Sequence, residues 1–168
     1  MSFAKAVLLS AALLGFGAAA ASAQMGAGMS SSPQRQDPSV PYQAGIAALN
    51  AHNYQEAIRQ FTTARRAAPS DGAINYALGL AYVGNGDKDE AKTAFTRAVR
   101  ANNAPIPARL QLGLVSLELG DRDTATEQQT ALQRMIAACD AACGDARRGQ
   151  MQTVLDQLTR ALAAPPTP

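Results

Sequence analysis

Asn75-Tyr76-Ala77-Leu78-Gly79-Leu80-Ala81-Tyr82, followed by Ala91-Lys92-Thr93-Ala94-Phe95, is the stretch that decides the fold. Its side chains return at a step of 34 residues on either side: Gly45, Gly79 and Gly113; Ala57, Ala91 and Ala125; Phe61 and Phe95; Ala64, Ala98 and Leu132. Within each step, apolar side chains recur at helical spacing on both sides of a turn. A repeat of this length holding two helices cannot bury its apolar faces alone, so successive hairpins stack on one another. The expected fold is all-α, an α-solenoid of three helix–turn–helix units over 38–71, 72–105 and 106–139. A turn and a capping helix over 140–164 close it, and 165–168 is a tail.

The first unit places Tyr42, Gly45, Ile46, Ala48 and Leu49 on one helix face, then turns at Ala51-His52-Asn53. Asn53 with Glu56 three residues on is close to a capping box and starts the second helix, which presents Ala57, Ile58, Phe61 and Ala64. In the second unit, Gly84-Asn85-Gly86 marks the turn, and Asp87 with Glu90 is expected to cap the helix carrying Ala91, Phe95 and Ala98. The third unit rebuilds its first helix from Leu110, Leu112, Gly113, Leu114 and Leu117, with a turn at Gly120-Asp121. Its second helix departs from the pattern, because Gln129 stands where Phe61 and Phe95 stood. A polar side chain cannot fill the same gap, so packing is expected to shift toward Leu132, Met135 and Ile136. In the last helix, Met151, Val154, Leu155, Leu158 and Leu162 form one stripe, with Arg147, Arg148, Gln152, Asp156 and Arg160 off it. One apolar and one wet face is what a solenoid cap needs.

The units resemble the tetratricopeptide repeat, whose pattern is W-x2-L-G-x2-Y, then A-x3-F, then P. The second unit reads Asn75-x2-Leu78-Gly79-x2-Tyr82, then Ala91-x3-Phe95. The first reads Ala44-Gly45-x2-Ala48, then Ala57-x3-Phe61 and Pro69; the third reads Leu112-Gly113-x2-Ser116, then Ala125-x3-Gln129. The resemblance implies a right-handed stack whose first helices line a concave groove for an extended peptide or a helix of a partner protein. The positions that resemble the groove-lining ones are Tyr42, Ile46, Leu49 and Asn50, then Tyr76, Leu80 and Val83, then Leu110, Leu114 and Leu117. The family's carboxylate clamp uses Lys, Arg and Asn, but those places here hold Tyr42, Ile46, Ala77, Pro107 and Gln111. An apolar groove suits a hydrophobic helix or strand better. The expected function is therefore a non-catalytic interaction adaptor with an unidentified protein or peptide partner. The alternative is that the last helix or a second copy of the chain covers part of the groove, as in a self-assembling structural subunit of an envelope complex.

Residues 1–23 read as a secretory signal peptide: Lys5, an apolar run from Ala6 to Phe16, and Ala21-Ser22-Ala23 before a cut after Ala23. An N-terminal membrane anchor is the rival reading. Residues 24–37 form an expected flexible linker. The localisation expected is periplasmic for a Gram-negative source, or secreted, with no membrane association after cleavage. Export implies an oxidising compartment, where Cys139 and Cys143 are expected to form one structural disulfide beside Gly144. A redox-active pair is the lesser reading, since the spacing is not C-x-x-C.

The formal charge is +2, and loss of Lys5 leaves +1, with basic residues scattered. That gives no footprint for nucleic acid. Aromatics make up 5% and there is no Trp, which argues against a sandwich or barrel. No cofactor, metal or catalytic constellation is expected: His52 is the only histidine and reads as a turn residue, and Asp87, Asp89 and Glu90 read as favourable charge at a helix N-terminus.

Overall fold

The computed structural model describes residues 37–140 and 143–165. The expected signal peptide and nearly all of the expected linker lie outside the described residues, as does most of the tail. Seven α-helices follow in order: α1 (Ser39–Asn50), α2 (Tyr54–Ala67), α3 (Gly72–Asn85), α4 (Lys88–Arg100), α5 (Ile106–Glu118), α6 (Arg122–Ala137) and α7 (Asp145–Ala163). No strand occurs among the described residues. Each helix packs on the next, from α1 to α7, and α7 also packs on α5.

Short polar signals set the helix starts. Asn53 accepts from the Glu56 N–H at 3.3 Å, Asp71 from Ile74 at 2.9 Å and Asp121 from Thr124 at 3.0 Å, each satisfying a donor with no partner inside the helix. Asp87 holds the matching position before α4, but its carboxylate makes no cap hydrogen bond and instead accepts from Asn85 at 2.7 Å. The expectation of a side-chain cap there is corrected: the amide two residues upstream competes for the same oxygen. The turn expected at 84–86 is also narrower, since α3 runs through Asn85 and only Gly86 lies beyond it.

Gly86 and Gly120 leave their helices at φ of 88° and 77°, and His52 takes the same left-handed place in unit 1 at 56°. Glycine occupies that region without the Cβ clash other residues meet.

Within units 1 and 2, one arrangement repeats. The Phe61 ring lies over Gly45 and the Phe95 ring over Gly79; a Cβ there would sit 2.5 Å from Phe61 Cε1 and 2.6 Å from Phe95 Cδ1. The absent side chain lets each ring fill the space between its paired helices. In unit 3 that space is filled from elsewhere. A Cβ at Gly113 would lie 2.5 Å from Leu158 Cδ1, on α7. Gln129 turns outward and donates to the Thr159 hydroxyl at 2.9 Å. Leu132 is fully buried, with Met135 and Ile136 partly so, as expected. The gap itself, however, is closed by α7 rather than by α6.

Successive units are also joined at a fixed register, the first residue of each second helix. The Tyr54 ring packs on Gly84 in α3, where a Cβ would lie 2.7 Å from Cζ. Lys88 pairs with Glu118 in α5 at 2.9 Å. Arg122 donates to the Leu162 carbonyl at the end of α7. Beside the second joint, Lys92 reaches Asp121 at 2.5 Å. Asn103, just after α4, ties the end of unit 2 back to the start of α3: its Oδ1 accepts from the Gly72 N–H at 2.7 Å, and its Nδ2 donates to Asp71 at 3.0 Å.

Candidate functional site

The ten expected groove residues fall on the three first helices. Tyr42, Ile46 and Leu49 are half-buried on α1, where Asn50 is exposed; Tyr76 and Leu80 are half-buried on α3, where Val83 is 42% exposed. Leu110, Leu114 and Leu117 are half-buried on α5. None is fully buried. Each presents one side to the core and another to solvent, as a binding face on a packed scaffold requires.

The scaffold beneath is rigid at two matching points. Tyr42 meets Phe61 with ring centroids 5.8 Å apart at 52°, and Tyr76 meets Phe95 at 5.9 Å and 47°. The same tilted pair is thus repeated, its geometry set by the ring-over-glycine packing below. Burial pushes the Tyr76 phenol above its usual range, because a phenolate there would lose hydration. α1, α3 and α5 contribute no acidic or basic residue to the ten positions.

Unit 3 differs. Leu110 and Leu117 pack into the cluster built on Leu132, Met151, Val154 and Leu158. The end of α7 closes over α5, leaving a pocket of about 330 Å3 between Leu114, Leu117 and Glu118 on one side and Ala161, Ala164 and Pro165 on the other. The open apolar stretch therefore lies on α1 and α3, and the last helix partly covers its continuation on α5. This is the alternative in which the last helix covers part of the groove; the Leu158–Gly113 contact that seats it is out of repeat register.

Cys139 and Cys143 are paired between α6 and α7, with Cα atoms 5.3 Å apart. Arg148, in the first turns of α7, donates to the Cys139 carbonyl, so the junction is held by a side chain as well as by sulfur. His52 stands at the α1–α2 turn, its Nδ1 2.9 Å from the Tyr54 hydroxyl. Among the described residues, no group of three or more His, Cys, Asp or Glu is placed to hold a metal ion, and no helix is long and apolar enough to cross a membrane.

Comparison with known proteins agrees with this geometry. Residues 48–112 match the tetratricopeptide repeat model, from the last turn of α1 to Leu112 in α5, ending before the helix in which Gln129 breaks the pattern. Among solved structures, the chain is similar to the TPR domain of Sgt2 from Aspergillus fumigatus, at 22% identity and a TM-score of 0.55, over 78% of this chain and 86% of that one. No curated protein matches it. The fold is that of an all-α tetratricopeptide-repeat solenoid.

Proposed function

We propose that this chain is an exported, non-catalytic adaptor that holds an apolar helix or extended segment of a partner protein against α1 and α3. The observation that carries the reading is the row Tyr42, Ile46 and Leu49, then Tyr76, Leu80 and Val83. All but the exposed Val83 pack against the core; all six are open to solvent, carry no charge, and recur at the repeat step on adjacent first helices. An apolar segment laid along them would displace water from both surfaces, the main favourable term in such binding. The α7 cover over Leu110 and Leu117 limits the site to the first two units.

Export rests on the Lys5, apolar-run and Ala21-Ser22-Ala23 order of the first 23 residues, and it supports an oxidised Cys139–Cys143 pair. Mass spectrometry of the protein from a periplasmic or culture fraction should find Gln24 as its first residue; an intact N-terminus on Met1 would overturn that part of the reading.

Binding is tested by affinity capture from an envelope extract with the wild-type chain and with Leu80→Asp. A half-exposed site tolerates the carboxylate in the free protein, whereas the bound state would bury it unpaired. Capture should be lost with the melting temperature little changed. Unchanged capture by a folded Leu80→Asp protein would remove the groove from the proposal.

A further inference from the structure

The side of unit 1 that faces away from unit 2 carries an interface on which none of the described residues packs. Val40, Ala44 and Gln60 stand one repeat before Ile74, Leu78 and Ala94, and two before Ala108, Leu112 and Gln128. In units 2 and 3 all six are buried. Leu78 and Ala94 pack with Ala57 and Phe61 of unit 1, and Leu112 packs with Ala91 and Phe95 of unit 2. In unit 1 the same addresses are open: Val40 is 73% exposed where Ile74 is 5% exposed, and Ala44 is exposed where Leu78 is 1% exposed. The result is an open cleft of about 270 Å3 between α1 and α2, lined by Val40, Pro41, Ala44, Gln60, Thr63 and Ala67, with Asp37 at its rim. From Ser39 to Asn50, α1 contains no charged side chain.

We propose that this face docks a second copy of the chain, with two unit-1 faces meeting about a two-fold axis. Charge decides among the candidate occupants. The other end of the solenoid is the outer side of α7, where Arg147, Arg148, Asp156 and Arg160 are exposed. Setting that surface on the α1–α2 cleft would strip water from three arginines and an aspartate, against which the cleft offers only Asp37 at its rim. Head-to-tail stacking is therefore disfavoured, and the end that is capped stays capped. The segment preceding the face, residues 24–36, offers only Met25 and Met29 as large apolar side chains, whereas the matching faces of units 2 and 3 are each covered by the whole helical hairpin of the preceding unit. A second copy brings the same charge-free α1 face of valine, proline and alanine, so apolar area meets apolar area while Asp37 of each copy stays at the rim. A self-complementary patch of this kind generates a closed dimer. These residues are distinct from the groove positions, so dimerisation and groove binding stand or fall separately.

The test is size-exclusion chromatography with light scattering on the chain from Gln24 to Pro168, over a dilution series. The wild type should show twice the chain mass and fall toward the single mass on dilution. Ala44→Arg should be a monomer at every concentration, with an unchanged helical circular dichroism spectrum, while the groove variant Leu80→Asp should remain dimeric. Val40→Lys, at a position already mostly in solvent, repeats the reading should Ala44→Arg fold poorly. A wild-type chain that is monomeric at its highest soluble concentration, or a dimer that survives both variants, would overturn the proposal.

Discussion

Leu158 on α7 lies against Gly113 on α5 as the Phe95 ring lies against Gly79 one unit earlier. The last helix is therefore part of the third unit's core and not only a lid on its end. Leu158→Ala should remove a fully buried side chain from a gap that α6 cannot fill, because Gln129 points away from it. The expected loss is about 3 kcal/mol, the usual range for a leucine cavity, read as a lower urea midpoint. Adding Gln129→Phe to that variant should recover part of the loss, by restoring the ring found in units 1 and 2.

Gly79→Ala tests the same packing from the opposite side. The added methyl would sit 2.6 Å from Phe95 Cδ1, and both elements are buried. Overpacking of this kind costs about 1–3 kcal/mol, so thermal melting should move down although alanine is the better helix former. A melting temperature equal to the wild type would show that the ring moves aside freely.

Cys143→Ser should lower stability by about 2 kcal/mol, the chain-entropy value for so short a loop. Because Met151, Val154 and Leu158 still bury their side chains, α7 should stay docked but open more often. Amide hydrogen exchange is expected to speed up in α7 and the end of α6, with α1 to α4 unaffected. If partner capture were abolished while exchange stayed unchanged, the pair would have a redox role instead.

Acid should weaken the joint between units 2 and 3. The hydrogen bond from Lys92, then those from the Thr124 hydroxyl and backbone, hold the Asp121 carboxyl well below the usual carboxylate range. A group whose folded pKa is depressed stabilises the protein above its unfolded pKa, and that contribution is lost as pH falls through the acid range. Asp121→Asn should therefore be less stable than the wild type at neutral pH and lose less on acidification. Urea midpoints measured from neutral pH down to pH ~3 would show two curves converging.

His52→Gly is expected to stabilise the chain. At φ of 56°, His52 is a non-glycine residue in the region that Gly86 and Gly120 occupy in the other turns. Relief of that clash is worth about 0.5–1 kcal/mol after the entropy of the unfolded glycine and the lost Tyr54 contact are set against it. A fall in melting temperature would mean that the 2.9 Å His52–Tyr54 contact outweighs the backbone strain.

The repeat architecture was legible because small and large side chains return at one step, but spacing alone did not pair the Phe95 ring with Gly79 of its own unit. That Tyr42, Tyr76 and Leu110 share one repeat position was legible from the same step. What could not be read lies outside the period. Leu158 reaches Gly113 across a connection that belongs to no repeat, so nothing in the pattern pairs them. Asp87 and Asp121 look alike in sequence, each the residue just before a second helix, yet only Asp121 caps: Asn85 donates to Asp87 from two residues upstream, and Leu119 at the matching place has no amide side chain to do so. The open face of unit 1 was hidden for another reason: Val40 and Ala44 look like ordinary core positions until their neighbours are found missing.

The three joints at Tyr54, Lys88 and Arg122 share one address but not one chemistry: a ring on a glycine, an ion pair, and a cation on a helix-end carbonyl. The hairpins are therefore not interchangeable bricks. Duplicating or reordering them would drive Tyr54 into Glu118 or leave Lys88 facing Gly84, so the chain specifies its own sequence of modules. Concentrated salt would screen the exposed middle pair while sparing the aromatic joint, which gives this short rod a preferred place to yield.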